Sequence, residues 1–505
     1  MLLRQRRAAE AAAACEELAR QRPDAAEPML LLGRARQQQG RFDEMLELTA
    51  NALERDAAHR GAQLQFAEAS IFCGRHDCAL AQLADLETDA ANDPVLLQHV
   101  AELFGQVGKH ARAHRCYQRA AELDPDSPQV RYNLAASLVA VGEIDLAEEA
   151  FSRVIDANPD DYDAWQNRSN LRRQTPERNH VADLDACLRH LRPGDAGEVP
   201  LCYALAKEHE DLGDYDVAFA YLERGATARR RRMAYDVNND VAMLDGIRTA
   251  FDATYAAGPP GHTGAGPIFV MGLPRSGTTL VDRIISSHSA VTSMGEINDF
   301  ALVLTRLADT AGKVQLLDAS LNVDPAELGA AYLDSVGAYG RESPYFVDKT
   351  PSNFLYIGLI RRALPDARIV HLRRHPLDSC LAMYRTLFRM GYPFSYSLDD
   401  LAAYYIAYHR LMAHWRALHP EAIVDVDYEV LVDHQERESR RIIAACGLEW
   451  EDACLAFERN RAPVATASAA QVRQPIFRDA LARWRRYEKH LEPLKRRLED
   501  AGIAL

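Results

Sequence analysis

Gly272-Leu-Pro-Arg-Ser-Gly-Thr-Thr279 is the stretch whose residue types and spacing most plainly prepare for chemistry. It follows a short apolar run, Ile268 to Met271, and leads into the helix start Leu280-Val-Asp-Arg-Ile-Ile285. A strand, a glycine-containing turn and a helix start aim backbone N–H groups and the helix dipole at an anion. Gly272 and Gly277 keep the glycine spacing of a Walker A loop, but Thr278 stands where the lysine would reach the β and γ phosphates of a nucleoside triphosphate. A kinase or NTPase is therefore disfavoured, while an anion cradle survives. Arg275, Ser276, Gly277, Thr278 and Thr279 offer charge, backbone amides and hydroxyls without a magnesium ligand set. The string is too polar and too specific for a βα turn alone.

Further along, Arg368-Ile-Val-His-Leu-Arg-Arg374 reads as a strand that ends in guanidinium groups. In a parallel sheet such an end lies at the ligand-bearing edge, and a guanidinium there stays charged and binds phosphate bidentately. Glu296 follows Gly295 at the end of Val291-Thr-Ser-Met, another short strand. His371 alternates inside its buried-looking strand and reads as structural. No histidine pair has metal-ligand spacing, and no metal is expected.

Two kinds of element must position these groups. Short β-rich runs (Ile268–Met271, Tyr345–Val347, Arg368–Leu372, Ala422–Val426) alternate with helical ones, which predicts an α/β domain with a parallel sheet over residues 266–505. Ahead of it, residues 226–257 are helical and polar, and Gly258-Pro-Pro-Gly261-His-Thr-Gly264-Ala-Gly266 breaks every regular pattern. Residues 226–265 therefore read as a linker and boundary. Residues 1–225 repeat: Gly40, Gly74, Gly108 and Gly142 stand 34 residues apart, each opening a matching string such as Gly74-Arg-His-Asp. Ala79, Ala113 and Ala147 follow five residues later, with Met45 in the first copy. Each unit is a pair of amphipathic helices, with glycine for the turn and alanine for close approach. A degenerate copy has Pro176 where the glycine should fall, another returns at Gly213-Asp-Tyr-Asp-Val-Ala218, and residues 3–22 read as a lone capping helix. The period and pattern resemble tetratricopeptide (TPR) repeats, an α-solenoid whose groove binds peptides or protein segments; dimerising the chain or propping up its neighbour are the other uses of such an array.

Composition narrows the classes. A net charge of −14 argues against a general nucleic-acid binder, and Arg229 to Arg232 read as a solvated helix face. Nine scattered cysteines with no C-x-x-C pair make neither a disulfide framework nor a zinc site and fit a reducing compartment. No apolar stretch approaches a membrane span or a signal h-region. The expectation is a cytoplasmic protein with no membrane span.

Pro274 to Thr279 is similar to the 5′-phosphosulfate loop of sulfotransferases that use 3′-phosphoadenosine 5′-phosphosulfate (PAPS). Its arginine form resembles tyrosylprotein sulfotransferases and the bacterial TPR-linked family more than cytosolic small-molecule sulfotransferases. Further matches are Gly295-Glu296, Asp348-Lys349-Thr-Pro351-Ser-Asn-Phe354, Arg373-Arg374-His-Pro-Leu-Asp378, Tyr428-Glu429 and Thr466-Ala-Ser-Ala-Ala-Gln471-Val-Arg473-Gln-Pro475, spread over about residues 266–490. The resemblance implies PAPS as donor, Glu296 as general base, Lys349 stabilising charge on the bridging oxygen, and Ser468 assisting it. It also implies Arg374 on the 3′-phosphate and Tyr428 and Arg483 as nucleotide contacts, with Arg473 a weaker candidate. It expects a serine eight residues after Arg374, where this chain has Ala382; Ser379 is the hydroxyl within reach. The acceptor hydroxyl is left open between a protein or peptide held by the repeats, a saccharide and a small metabolite. A catalytically dead TPR adaptor is the remaining alternative, against which Arg275, Glu296, Lys349 and Arg374 stand together.

Overall fold

The computed structural model describes every residue except 1–2, 4–6, 23–24, 193, 265, 311, 341–342, 389–390, 461, 463–475, 477 and 479–480, together with the side chains of 313 and 314. After a first helix, Ala8–Gln21, six helix pairs follow from Ala26–Gln38 with Phe42–Arg55 to Glu198–Leu212 with Tyr215–Arg231. The four glycines in register all turn with φ between 69° and 91°, a region that costs an L side chain energy and glycine little. The alanines that follow are sealed between helices: Ala79 and Ala147 are 0% exposed. Helix starts are marked locally, since Asp93 and Ser127 accept backbone N–H bonds ahead of Pro94 and Pro128. The degenerate copy pairs a short helix, Tyr162–Asn170, with Val181–His190 across an irregular turn bridged at Thr175 and Arg178.

The second half is a five-stranded, all-parallel sheet in the order β2-β3-β1-β4-β5. Its strands are β1 (Pro267–Gly272), β2 (Val291–Gly295), β3 (Tyr345–Asp348), β4 (Arg368–Arg373) and β5 (Ile423–Asp427). β1 is buried along its whole length, which is why it reads as an unbroken apolar run. The chain goes from β1 to the edge strand β2, returns to lay β3 between them, then crosses to place β4 and β5 on the other side of β1. That reversal puts a crevice at the carboxyl ends of β3, β1 and β4, where open α/β sheets bind ligands.

The repeats and the sheet share one core. Tyr203, Phe219 and Leu222 of the last helix pair are buried in the same cluster as Phe269, Tyr384, Tyr396 and Tyr487. The helix Tyr215–Arg231 runs past residue 225. The next helix, Val237–Ala250, lies within the stretch read as linker, and Leu244 and Ile247 join that cluster together with Phe251. Phe251 packs near Trp415, and its carbonyl is 2.8 Å from His414 Nε2. A second contact lies nearer the start of the array. His76 Nε2 is 2.7 Å from Asp299 Oδ1, both fully buried, and the His76 ring stacks on Tyr339 at 3.8 Å. Gly74 sits so close that an added Cβ would lie 2.3 Å from Ser335 Oγ. Among the described residues no helix is long and apolar enough to cross a membrane.

Candidate active site

The loop between β1 and the helix Thr278–Ser286 is shaped by close approach. A Cβ on Gly272 would meet the Leu372 carbonyl at 2.7 Å, and one on Gly277 would meet the Tyr428 ring at 2.5 Å. Gly277 (φ 109°) starts the helix with no side chain capping it, which leaves its first-turn amides facing the crevice. Arg275, a non-glycine residue, is held at φ 66°, the kind of backbone strain that persists where the surroundings over-determine it. Thr278 and Thr279 are buried in the first turn. The Ser276 hydroxyl is buried without a hydrogen-bond partner among the described residues, and such an orphan asks for a ligand or water.

Cations converge here. Arg374 Nη1 donates to the Arg275 carbonyl at 3.1 Å, and its guanidinium lies 4.9 Å from the centre of the Tyr428 ring. Burial lowers the Arg275 pKa to about 10, helped by repulsion from Arg374, Arg385 and Arg483. Guanidinium groups gathered this closely can together hold a multiply charged anion. Ser379 is buried and donates to the Arg374 carbonyl at 3.4 Å, while Ala382 lies one turn further along the helix Pro376–Tyr384. Ser276, Arg374, Ser379 and Glu429 also border a cavity of about 510 Å³.

Across the crevice, β2 and β3 end in the other two charged residues. Lys349 Nζ lies 2.5 Å from Glu296 Oε1; the lysine side chain is 1% exposed and the glutamate 46%. The Lys349 amide bonds to the Gly295 carbonyl at 2.9 Å and the Thr350 hydroxyl to the Ile297 carbonyl at 2.6 Å, so the two strand ends are laced together. Asp282, on the phosphate-loop helix, is buried beneath them. Burial raises its pKa, and the field of Lys349 works against that rise. Asp348 bonds the Tyr332 hydroxyl at 3.0 Å, and burial raises its carboxyl to about 7.

The structure therefore brings Arg275, Ser276, Gly277, Thr278, Thr279, Arg374, Ser379, Tyr428 and Arg483 to one side of the crevice, and Glu296 and Lys349 to the other. Ser468 and Arg473 lie outside the described residues. His371 is buried, as its alternation in β4 implies, and it also links Asp425 (2.6 Å) to the Tyr408 hydroxyl (2.5 Å), which accepts a hydrogen bond from the Leu273 backbone in the phosphate loop. Sequence reasoning missed Arg385 and Asp282. Arg385 follows a helix end, with no motif to mark it. Asp282 stands inside the helix start after the loop, where its burial beneath Lys349 was the missing signal. Among the described residues no three His, Cys, Asp or Glu side chains cluster as a metal site.

Known proteins are similar to parts of this chain. A family model described as "Sulfotransferase family" matches residues 267–452, and two described as "Tetratricopeptide repeat" match 106–171 and 199–231. The chain is similar to an uncharacterised protein of Aquifex aeolicus (strain VF5), 30% identical over 420 residues that cover 79% of this chain and 54% of the relative. It thus spans about half the length of that relative. It is also similar to protein-tyrosine sulfotransferase 2 of Gallus gallus, 24% identical over 51% of this chain and 71% of the relative. Among solved structures, the sulfotransferase domain from the curacin biosynthetic pathway aligns with 48% of this chain and 100% of its own at 14% identity, with a TM-score of 0.34. Residues 267–452 thus match the sulfotransferase family model, in one chain with stretches that match tetratricopeptide repeats.

Proposed function

We propose that the protein moves a sulfuryl group from PAPS to an acceptor hydroxyl. The observation that carries this reading is the Glu296–Lys349 pair, 2.5 Å apart, facing an arginine-lined phosphate loop across one crevice. PAPS, when bound, supplies an activated sulfuryl group on a phosphate oxygen and leaves as 3′,5′-ADP. The fit rests on the cradle itself: the unpartnered Ser276 hydroxyl, the uncapped helix start at Gly277, and the crowded guanidinium of Arg275.

In this reading Ser276, Thr278 and Thr279 hold the 5′-phosphosulfate with the loop amides. Arg374 and Ser379 hold the 3′-phosphate, and Tyr428 and Arg483 flank the nucleotide. Glu296 accepts the acceptor's proton as its oxygen bonds to sulfur. Lys349 faces the bridging oxygen and stabilises the charge that collects there as the old S–O bond breaks. Ser468 is assigned to assist it by resemblance alone.

A protein or peptide hydroxyl, tyrosine-like as the name of the Gallus gallus relative suggests, is the acceptor class we favour, presented by the repeats; a saccharide or small-molecule hydroxyl is compatible with the same chemistry. The test is incubation with ³⁵S-labelled PAPS and a lysate of the native host, followed by identification of the labelled species. Label transfer that Glu296→Gln abolishes supports the reading, and absence of transfer to any fraction argues against it.

A further inference from the structure

The arginines of the phosphate pocket are not held by the sheet domain alone. Glu210, in the repeat helix Glu198–Leu212, reaches across the shared core into their midst. Its Oε1 accepts from Arg483 Nη1 at 3.1 Å, and its Oε2 accepts from Arg385 Nε and from the Tyr487 hydroxyl, the latter at 2.8 Å. The carboxylate is 7% exposed. Burial would raise its pKa, but Arg385 and Arg483 outweigh it and hold Glu210 below the usual range. The turn that carries Arg483 is pinned from the other side as well, where the Trp484 amide donates to Asp378 Oδ1 at 2.9 Å and Trp484 stacks on His375.

Arg275, Arg374, Arg385 and Arg483 lie close enough to repel one another. Four converging guanidinium groups would spread apart or turn to solvent unless something fixed them. Glu210 makes an ion pair with two of the four. We infer that Glu210 is a positioning residue of the donor site: a repeat of the array holds Arg385 and Arg483 in place for the phosphates of the nucleotide. The inference rests on the donor reading above. It makes the last repeat part of the catalytic apparatus as well as a neighbour of it.

Two physical roles for Glu210 give opposite signs. If it only cancels positive charge, its removal tightens anion binding. If it positions the arginines, its removal loosens binding although the site becomes more positive. Calorimetry of the full-length protein with 3′,5′-ADP separates them. Glu210→Gln is expected to weaken 3′,5′-ADP about tenfold, in line with one charge-assisted hydrogen bond. The donor KM should rise while the acceptor KM holds. With Arg483→Gln already in place, adding Glu210→Gln should cost distinctly less than it does alone, because the two share an interaction. Unchanged or tighter binding by Glu210→Gln, or full additivity with Arg483→Gln, overturns the inference. Should Glu210→Gln fail to fold, Glu210→Asp keeps the charge but shortens its reach: weaker 3′,5′-ADP supports positioning, and unchanged affinity refutes it. If the unaltered protein does not bind 3′,5′-ADP, the donor reading itself falls, and this inference with it.

Discussion

Lys349 Nζ and Glu296 Oε1 are 2.5 Å apart, with the lysine sealed beneath the sheet edge and the glutamate reaching half into solvent. The asymmetry fits the roles proposed above, in which the buried cation faces the donor and the accessible carboxylate faces the acceptor. Glu296→Gln is expected to lower turnover by about 10²–10⁴-fold, the usual worth of a general base. Affinity for 3′,5′-ADP should stay near that of the parent. Steady-state kinetics with calorimetry on the same preparation checks both. A fall in nucleotide affinity as large as the fall in turnover would place Glu296 on the donor instead.

In the proposed reading, donor choice rests on Thr278 and the arginines. The protein is expected to bind 3′,5′-ADP far more tightly than ATP, without magnesium. Arg374→Ala should weaken 3′,5′-ADP by about 1.5–3 kcal/mol and leave 5′-AMP nearly untouched. Ser379→Ala should act in the same direction and less, since its hydroxyl also bonds the Arg374 carbonyl. Equal weakening of both nucleotides by Arg374→Ala refutes the 3′-phosphate role.

Gly277→Ala tests the loop's geometry. The new methyl would meet the Tyr428 ring at 2.5 Å from a backbone at φ 109°, and the left-handed conformation alone costs an L residue about 1–2 kcal/mol. A lower melting temperature together with weaker 3′,5′-ADP binding is expected. A variant that melts and binds like the parent would mean that Tyr428 does not wall the loop.

Much of this was legible in the residue string because it is local. The phosphate loop needs only neighbouring residues, and each repeat turn needs its own glycine. The docking of the array was not legible. His76 occupies the same place in its repeat as Phe42, His110 and Ile144 in theirs, and nothing in the 34-residue pattern says that this copy alone meets a buried aspartate from the sheet domain. Glu210 was hidden for the same reason: its partners Arg385 and Arg483 are remote in sequence, and burial made the acid functional. The boundary at 225 followed composition, but a polar helix such as Val237–Ala250 can still bury one face, as Leu244 and Ile247 do.

A deletion through residue 225 is accordingly expected to give no folded sheet domain. It removes Tyr203, Phe219 and Leu222 from the common core, at about 1.5–3 kcal/mol for each large apolar side chain, against a total stability of about 5–15 kcal/mol. It also takes away Glu210. Circular dichroism and limited proteolysis of the truncated chain check this. A cooperative melt near that of the full chain would show that the sheet domain stands alone.

Asp348 makes stability depend on pH. Its carboxyl titrates at about 7 when folded, against 3.8 when exposed, so the folded state holds the proton more tightly. The resulting contribution is complete below about pH 4, falls as the pH rises toward 7, and is level beyond. Asp348→Asn should flatten this part of the profile, by an amount on the order of a few kcal/mol. Denaturant melts at pH 5 and pH 8 decide it, and parallel profiles for variant and parent would refute the assignment.

The array touches the sheet domain near its start, at His76 of the second helix pair with Lys109 of the third donating to the Tyr339 carbonyl beside it, and again through its sixth, at Glu210. Those two anchors set a fixed span. Solenoids commonly grow and shrink by whole units, because each unit meets only its neighbours. Here, inserting or removing one 34-residue unit between the anchors would carry one of them past its partner by a full repeat. Units added ahead of Ala26 would disturb neither. Length variation in this architecture is thus confined to the amino-terminal end, and the inner repeats form a bridge of set length.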